Sequence, residues 1–546
     1  MKTIVRLLVI VIPWTATNVV RAQQHPDTAT ELRTLNSENR TLPRKVGTQL
    51  QLFLDDWLVE SMDQAVRVLH RPQPAEVAIE LDRPWEGPTL YDPSVIKDGD
   101  RYRMWYRAGG PERPFLWGYA ESPDGVTWVK PELNIIEFRG STRNNLVWPI
   151  PGVTCSTLAI FKDENPAARA SERYKSIATG RPTPDDPPEI YGLVSHDGIH
   201  WKMVRESHLL RPPADDAALD SHNLCLWDAA RQQYVIYARG WYRRGTVPAN
   251  SERITKELYQ VTVRLPSGDV KAVPRIRDIR RFTSRDFINW SEPEYIQYEV
   301  DPTEHLYKNS AIPYYRRPDL ILMFPKRFLP ERVFDPDWPR LYQESPSPNA
   351  PDCSCVTTPG ITWIYGCGGL SDILFSFSRD GLHFRRFREA FIRPGRDRLN
   401  WHGRAIETGP SLVPTGDGQM SLYYIERYGT PLVRVRRAIL REDGFVSLQA
   451  DYAGGTVTTR PFNFSGSRLE LNYSTSAAGS LRVEVQDAAG NPLPGYRLDD
   501  CRPIFGDELA RTVAWKKGSD VTSLAGQSVK LKFEIKDGDL FSMQFH

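Results

Sequence analysis

The chain is patterned as short apolar runs that alternate with polar positions, and no long stretch keeps an apolar period near 3.6 residues. That pattern predicts strands rather than helices. The runs come in sets of three, each set followed by an Asp-Gly-type turn. The first set is Pro93–Ile96, Tyr102–Ala108 and Trp117–Ala120, and the second Thr157–Phe161, Tyr174–Thr179 and Ile190–Val194. The third is Asn223–Trp227, Tyr234–Arg239 and Ile279–Thr283, and the fourth Ser310–Tyr314, Leu320–Phe324 and Ile373–Phe377. The fifth is Pro410–Val413, Met420–Ile425 and Val433–Ile439. A fourth strand is expected after each turn.

The turns are themselves a repeat. Ser122-Pro-Asp124-Gly125-Val-Thr-Trp128 returns as Ser195-His-Asp197-Gly198-Ile-His-Trp201 and as Ser284-Arg-Asp286-Phe287-Ile-Asn-Trp290. It returns again as Ser378-Arg-Asp380-Gly381-Leu-His-Phe384 and, degenerate, as Arg441-Glu-Asp443-Gly444. The aspartates are 73, 89, 94 and 63 residues apart. Asp bonds its own turn backbone and Gly accepts positive φ, so each copy predicts a tight hairpin turn. Five four-stranded units in series predict a five-bladed β-propeller over residues 49–450. These turn aspartates are expected to be structural.

After about Ala450 the texture changes. Gly454–Val457, Leu469–Tyr473, Leu481–Gln486, Val513–Trp515, Val529–Ile535 and Leu540–Phe545 alternate apolar and polar. Asp487-Ala-Ala-Gly490-Asn and Asp537-Gly538-Asp539 are its clearest turns. This predicts a C-terminal β-sandwich over 451–546. At the other end, Lys2 and Arg6 flank the apolar run Leu7–Trp14, and Val20-Arg21-Ala22 offers small residues for cleavage. Residues 1–22 read as a signal peptide, 23–48 as a flexible leader, and the mature protein is expected to be secreted or periplasmic.

The chain has 546 residues, with 70 basic and 68 acidic side chains. That balance gives no reason to expect a nucleic-acid partner, and no apolar run is long enough for a membrane span. Export would permit disulfides among Cys155, Cys225, Cys353, Cys355, Cys367 and Cys501, with pairing open. No histidine lies close to the Cys-x-Cys, so no metal site and no cofactor are expected. Fifteen Trp, 23 Tyr and 21 Phe suit strand cores and sugar-binding clefts alike.

The repeat, together with Leu52-Phe-Leu-Asp-Asp56, Arg101-Tyr-Arg-Met-Trp-Tyr106 and Gly454-Gly-Thr-Val-Thr-Thr459, resembles bacterial secreted proteins related to glycoside hydrolase family 32. The wider group includes families 43, 68, 117 and 130. The resemblance implies a five-bladed propeller whose axial funnel holds catalytic carboxylates on the innermost strands, and an oligo- or polysaccharide substrate. Trp-Met-Asn-Asp-Pro-Asn-Gly, Arg-Asp-Pro and Glu-Cys are absent, so fructan specificity is not implied.

Glycoside cleavage needs one carboxyl to protonate the leaving oxygen and another to attack or to activate water. Asp92, after Tyr91 and before Pro93, matches the first-blade aspartate of these families; the alternative is a turn aspartate. Asp220 fits the middle aspartate, or else a solvated loop carboxylate. Its neighbours His222 and Asn223 are candidates for binding sugar hydroxyls. Three glutamates qualify as the acid: Glu304 by its place before blade four, Glu407 by its apolar surroundings and Glu86 beside Trp85. A raised pKa is expected of the true acid. Trp85-Glu86, Tyr91 and Trp401-His402 are further candidates for binding sugar, the tryptophans as platforms, and Lys326-Arg327 could meet an acidic sugar. The other function class left open is a non-catalytic carbohydrate-binding propeller.

Overall fold

The computed structural model describes residues 43–87, 91–109, 116–147, 158–180, 187–212, 219, 221–242, 259–264, 270–299, 304–329, 332, 334, 356–358, 361–363, 369–402, 405–428, 430 and 432–546. The side chains of Tyr91 and Asp92 are outside that description. So are Asp220, Cys155, Cys353, Cys355, Cys367 and the segment read as signal peptide. Cys225 and Cys501 are buried free thiols.

The described chain is all-β. Helix is confined to single 3-10 turns such as Ala170–Glu172 and Leu498–Asp500. The first sheet holds Tyr91–Asp98, Arg101–Arg107 and Trp117–Ser122, and the second Leu158–Lys162, Tyr174–Gly180, Glu189–Ser195 and Lys202–Met203. The third holds Leu224–Asp228, Gln233–Tyr242, Val270–Ser284 and Glu294–Tyr295, with Tyr259–Arg264 at its edge. The fourth holds Ala311–Tyr314, Arg317–Met323, Ser376–Ser378 and His383–Arg386. It continues past a break as His305–Lys308, Lys326–Leu329 and Leu370–Ile373. The fifth holds Glu407–Thr408, Gln419–Glu426, Arg434–Arg441 and Gln73–Glu80.

The fifth sheet departs from the expected order. Val446–Ala450, which follows its turn, pairs with the C-terminal strand Val529–Phe545 and with Ala65–Leu69. The outer place beside Arg434–Arg441 is taken by Gln73–Glu80 from the other end of the chain. The C-terminal sheet also recruits Arg44–Gly47, Gln51–Leu52 and Val59–Asp63. Val46, Phe53 and Leu58 therefore share a core with Trp515. Residues 44–69 were expected in the leader and the propeller; their strands pair into the C-terminal sheet, while Leu50, Leu52 and Leu54 pack on the fourth and fifth sheets.

Four of the five repeated turns are held in the same way, the aspartate Oδ1 accepting from the N–H groups two and three residues on. In the first, Asp124 Oδ1 accepts from the N–H groups of Val126 at 2.7 Å and Thr127 at 2.8 Å, and Gly125 N–H donates to Ser122 Oγ at 2.8 Å. The motif's Trp has a reason too: the indole N–H of Trp201 returns to the Gly198 carbonyl at 3.0 Å. That carbonyl also accepts the Trp105 N–H of the first sheet at 2.7 Å. Likewise Tyr237 of the third sheet donates to Gly381 O at 2.6 Å, and Tyr423 of the fifth donates to Gly125 O of the first. The second and third sheets meet through Tyr234, which donates to Asp163 at 2.7 Å, and the fourth and fifth through Tyr314 and Asp443. The hydrogen bonds thus run from sheet to sheet in chain order and return from the fifth to the first. In the second turn glycine is needed: Gly198 has φ +75°, and a Cβ there would lie 2.8 Å from Trp105 Cζ2.

Candidate functional site

Strand register separates two ends of the sheets. In the first sheet Tyr91 lies opposite Arg107, which lies opposite Trp117; Tyr102 and Ser122, next to the turn, mark the other end. The starts of the inner strands are therefore at the end away from the aspartate turns. Here a second set of bonds links neighbours. Ile160 N–H donates to Ser94 Oγ at 3.2 Å, Asn223 Nδ2 to Thr179 Oγ1 at 2.8 Å and Asn309 Nδ2 to the His222 carbonyl at 3.2 Å. Ser310 Oγ donates to Thr408 O at 2.8 Å, and Val95 N–H to Pro410 O at 3.1 Å.

Close to these bonds the third, fourth and fifth sheets gather charged side chains. Glu407, fully buried, pairs with Lys308 and, at 2.9 Å, with Lys326; both lysines are also fully buried. The Tyr307 ring has Arg239 at 4.3 Å, Arg277 at 5.0 Å and Lys326 at 5.2 Å from its centroid. Arg239 is anchored through Nε and Nη2 on the Tyr307 carbonyl, at 3.3 and 3.0 Å. His305 Nδ1 accepts the Arg277 backbone N–H at 3.0 Å, which leaves the ring proton on Nε2. Burial, reinforced by Arg277 and Arg239, lowers the His305 pKa well below its ordinary value, so the ring is neutral.

The structure sorts the expected residues. Asp92 and Tyr91 lie on the first strand of the first sheet, at this end. Asp220 lies outside the described residues, next to buried Leu219 and Ser221. Glu407 lies on the strand Glu407–Thr408, next to the Thr408 carbonyl that accepts from Ser310. Glu304 instead pairs with Arg386 on the far strand of its sheet. Burial pushes the Glu304 carboxyl up, but Arg386 outweighs it and holds the pKa below the usual range, opposite to the expectation for an acid. Glu86 is tied to Tyr106 at 2.6 Å and Lys130 at 2.8 Å.

Asn223 was expected to bind sugar. Its amide instead donates to Thr179 and to Leu219 O at 3.1 Å and accepts from Arg239 N–H at 2.9 Å, so its donors are engaged within the protein. His222 is buried beside it. Trp85 packs edge-on against Phe138 and donates to Asn145 at 2.8 Å. Burial takes His402 down to about 4, leaving it neutral. The Trp401 N–H is fixed on Gly395 O at 2.8 Å, and its ring lies 5.1 Å from that of Phe334, which is 51% exposed.

Sequence reading missed Arg239, Arg277, Tyr307 and Lys308. One signal was present, since Arg239 ends the apolar run Tyr234–Ala238, but the near balance of basic and acidic residues gave no reason to single out a basic cluster. Among the described residues no group of three His, Cys, Asp or Glu side chains is placed to hold a metal ion, and no helix is long and apolar enough to cross a membrane.

No family model matches the chain. Two proteins of Mycobacterium tuberculosis, called uncharacterized proteins MT1551 and Rv1502, are each 26% identical to it over 163 residues, 29% of this chain. The chain spans about half the length of these curated relatives, 48% of each. Similar solved structures include the Bombyx mori GH32 beta-fructofuranosidase BmSUC1, at 9% identity and a TM-score of 0.38, over 95% of this chain and 99% of that one. Another is a glycoside hydrolase family 43 arabinoxylan arabinofuranohydrolase from Bacillus subtilis, at 11% identity and a TM-score of 0.37, over 85% and 96%. A third is an N-acetylgalactosamine deacetylase from F. plautii, at 12% and 0.40, over 71% and 97%.

Proposed function

We propose that the protein is an exported glycoside hydrolase, built as a five-bladed β-propeller with a C-terminal β-sandwich. The observation that carries this reading is the ring of polar side chains at the starts of the inner strands, with Glu407 next to it and Asp92 opening the first sheet. The cyclic order of hydrogen bonds between the five sheets supports the propeller, and the sequence resemblance supports the chemistry. In this reading Asp92 and Asp220 act on the glycosidic bond and Glu407, next to the ring, ranks before Glu304 as the acid.

The test is a set of variants assayed on a natural glycoside and on a 4-nitrophenyl glycoside, whose leaving group needs little protonation. Asp92→Asn loses turnover of both by roughly a thousandfold or more, while folding is kept. Glu407→Gln loses the natural substrate by roughly 100-fold but keeps much of the activated one. Glu304→Gln resembles the wild type. Variants that all cleave both substrates like the wild type overturn the assignment. N-terminal sequencing of exported material checks cleavage after Ala22.

A second reading, a saccharide-binding protein without catalysis, is favoured by one observation. Glu86, Glu304 and Glu407 are each ion-paired, with Lys130, Arg386 and the two lysines. Saccharide binding without turnover of any substrate by the wild type would select it.

A further inference from the structure

The inner strand of the fourth sheet is one strand, interrupted. Lys308 lies opposite Lys326 and Ala311 opposite Met323, so the register is the same on both sides of Asn309–Ser310. Two irregularities fall together here. Leu306 lies opposite Arg327 while Lys308 lies opposite Lys326, which makes Tyr307 the extra residue of a β-bulge. Ser310, fully buried, has φ +49°. That left-handed region is costly for a residue with a Cβ. Gln232 and Asp417 also adopt it, but at hairpin turns, where the chain reverses. Ser310 lies inside a sheet, where no reversal calls for it. Backbone strain of this kind persists only where the surroundings impose it, and it collects at functional sites.

Three sheets impose it. Asn309 Nδ2 donates to the carbonyls of His222 and of Tyr237 in the third sheet, both at 3.2 Å, and its Oδ1 accepts from Ala311 N–H at 3.3 Å. Ser310 Oγ donates to the Thr408 carbonyl of the fifth sheet at 2.8 Å. Thr408 Oγ1 returns to the Phe324 carbonyl of the fourth at 3.1 Å. What this node delivers lies beside it. Lys326 is 5.2 Å from the Tyr307 ring and 2.9 Å from Glu407, which also pairs with Lys308. The bulge thus brings the consecutive side chains of Tyr307 and Lys308 to the same neighbour. Lys308 is two residues from Ser310, and Glu407 is next to Thr408, so the Ser310–Thr408 bond sets the spacing of the two strands at the Lys308–Glu407 contact.

We infer that Ser310 is a positioning residue, whose left-handed backbone and bond to Thr408 hold Lys308 against Glu407 and so orient that carboxyl for proton transfer. This rests on the reading of Glu407 as the acid and adds a residue that acts through it.

The experiment compares Ser310→Val, Ser310→Ala and Ser310→Gly in the full chain on a natural glycoside and on the 4-nitrophenyl glycoside. Glycine takes the left-handed conformation without strain, whereas the branched Cβ of valine resists it. Ser310→Val should lower kcat on the natural glycoside roughly tenfold or more with KM within about twofold, and kcat on the activated one by less than about threefold. Ser310→Gly should recover much of the loss. Adding Ser310→Val to Glu407→Gln should lower neither rate further, because the two act as one unit. Should valine prevent folding, Ser310→Ala, which removes the hydroxyl and adds no bulk, gives the same contrast between substrates with a smaller loss. Wild-type rates in these variants, equal losses on both substrates, or a loss undiminished in the Glu407→Gln background overturns the inference and leaves Glu407 as the acid. Wild-type rates in Glu407→Gln, or no turnover by the wild type, overturns the reading of Glu407 and this inference with it.

Discussion

Four of the repeated turns and the fifth use an aspartate in opposite ways. Asp124, Asp286 and Asp380 are exposed and Asp197 half-buried, and each spends its Oδ1 on the two N–H groups that follow it. Asp443 is fully buried. Its carboxylate accepts from Tyr314 of the fourth sheet and from Ser542 of the C-terminal strand at 2.8 Å, and pairs with Arg316. The backbone explains the difference. Asp443 has φ +61°, the conformation that Gly125, Gly198 and Gly381 adopt at +75° and Phe287 at +67°. Cross-strand register agrees: Leu440 faces Met420 as Ser284 faces Tyr234, three positions before the clasping tyrosines Tyr423 and Tyr237. The fifth copy is therefore offset by one, and Asp443 stands at the glycine position of the others. A self-contained turn finishes a sheet; a turn whose aspartate points inward joins two layers of the molecule.

The largest expected effect breaks that junction. Asp443→Ala leaves Arg316 and Tyr314 without their shared partner, and should cost about 3–5 kcal/mol in chemical denaturation. Asp124→Ala should cost about 1 kcal/mol, since the freed N–H groups can meet water. Equal losses would erase the distinction. Next is Gly198→Ala, which strains a left-handed residue and pushes a methyl towards Trp105, at about 2 kcal/mol in the same measurement.

The smallest effect concerns acid. Burial pushes Asp286 up, but the N–H groups of Asn289 and Ile288 take it down to about 2. The folded value lies below the unfolded one, so its contribution is fully present above pH about 4 and is lost as pH falls towards about 2. Asp286→Asn should flatten stability in that window by less than about 1 kcal/mol, because the group is exposed and screened. An unchanged acid limb would show that the carboxylate adds nothing beyond what an amide supplies.

Strands were the most legible feature. Tyr102–Ala108 was expected and Arg101–Arg107 formed; Ile190–Val194 was expected and Glu189–Ser195 formed. Asp537-Gly538-Asp539 misled, because it looks like a hairpin turn yet forms an irregularity inside the continuous strand Val529–Phe545. Gly538 meets the facing strand so closely that a Cβ would lie 2.9 Å from Ser474 O. A glycine needed for close approach and one needed for a turn look alike in sequence. The burial of Glu407 was legible from its apolar neighbours, whereas the pairing of Glu304 with Arg386 was not, because the two lie 82 residues apart.

Composition and periodicity are local, and they determined the local outcome: an all-β chain, its three-strand sets, and turns whose Ser, Asp, Gly and Trp bond within seven residues. What they lacked was partners far along the chain. Gln73–Glu80 finds Arg434–Arg441, Tyr237 finds Gly381, and Arg277 and Lys326 meet over Tyr307 only once the sheets are adjacent. Strand propensity is set by each residue and its neighbours, whereas the choice of edge, clasp and charge cluster depends on which surfaces the closed arrangement brings together. Tertiary structure therefore decided that Gln73–Glu80 completes the fifth sheet, that Asp443 joins the layers, and that Arg239, Arg277 and Lys326 gather around Tyr307.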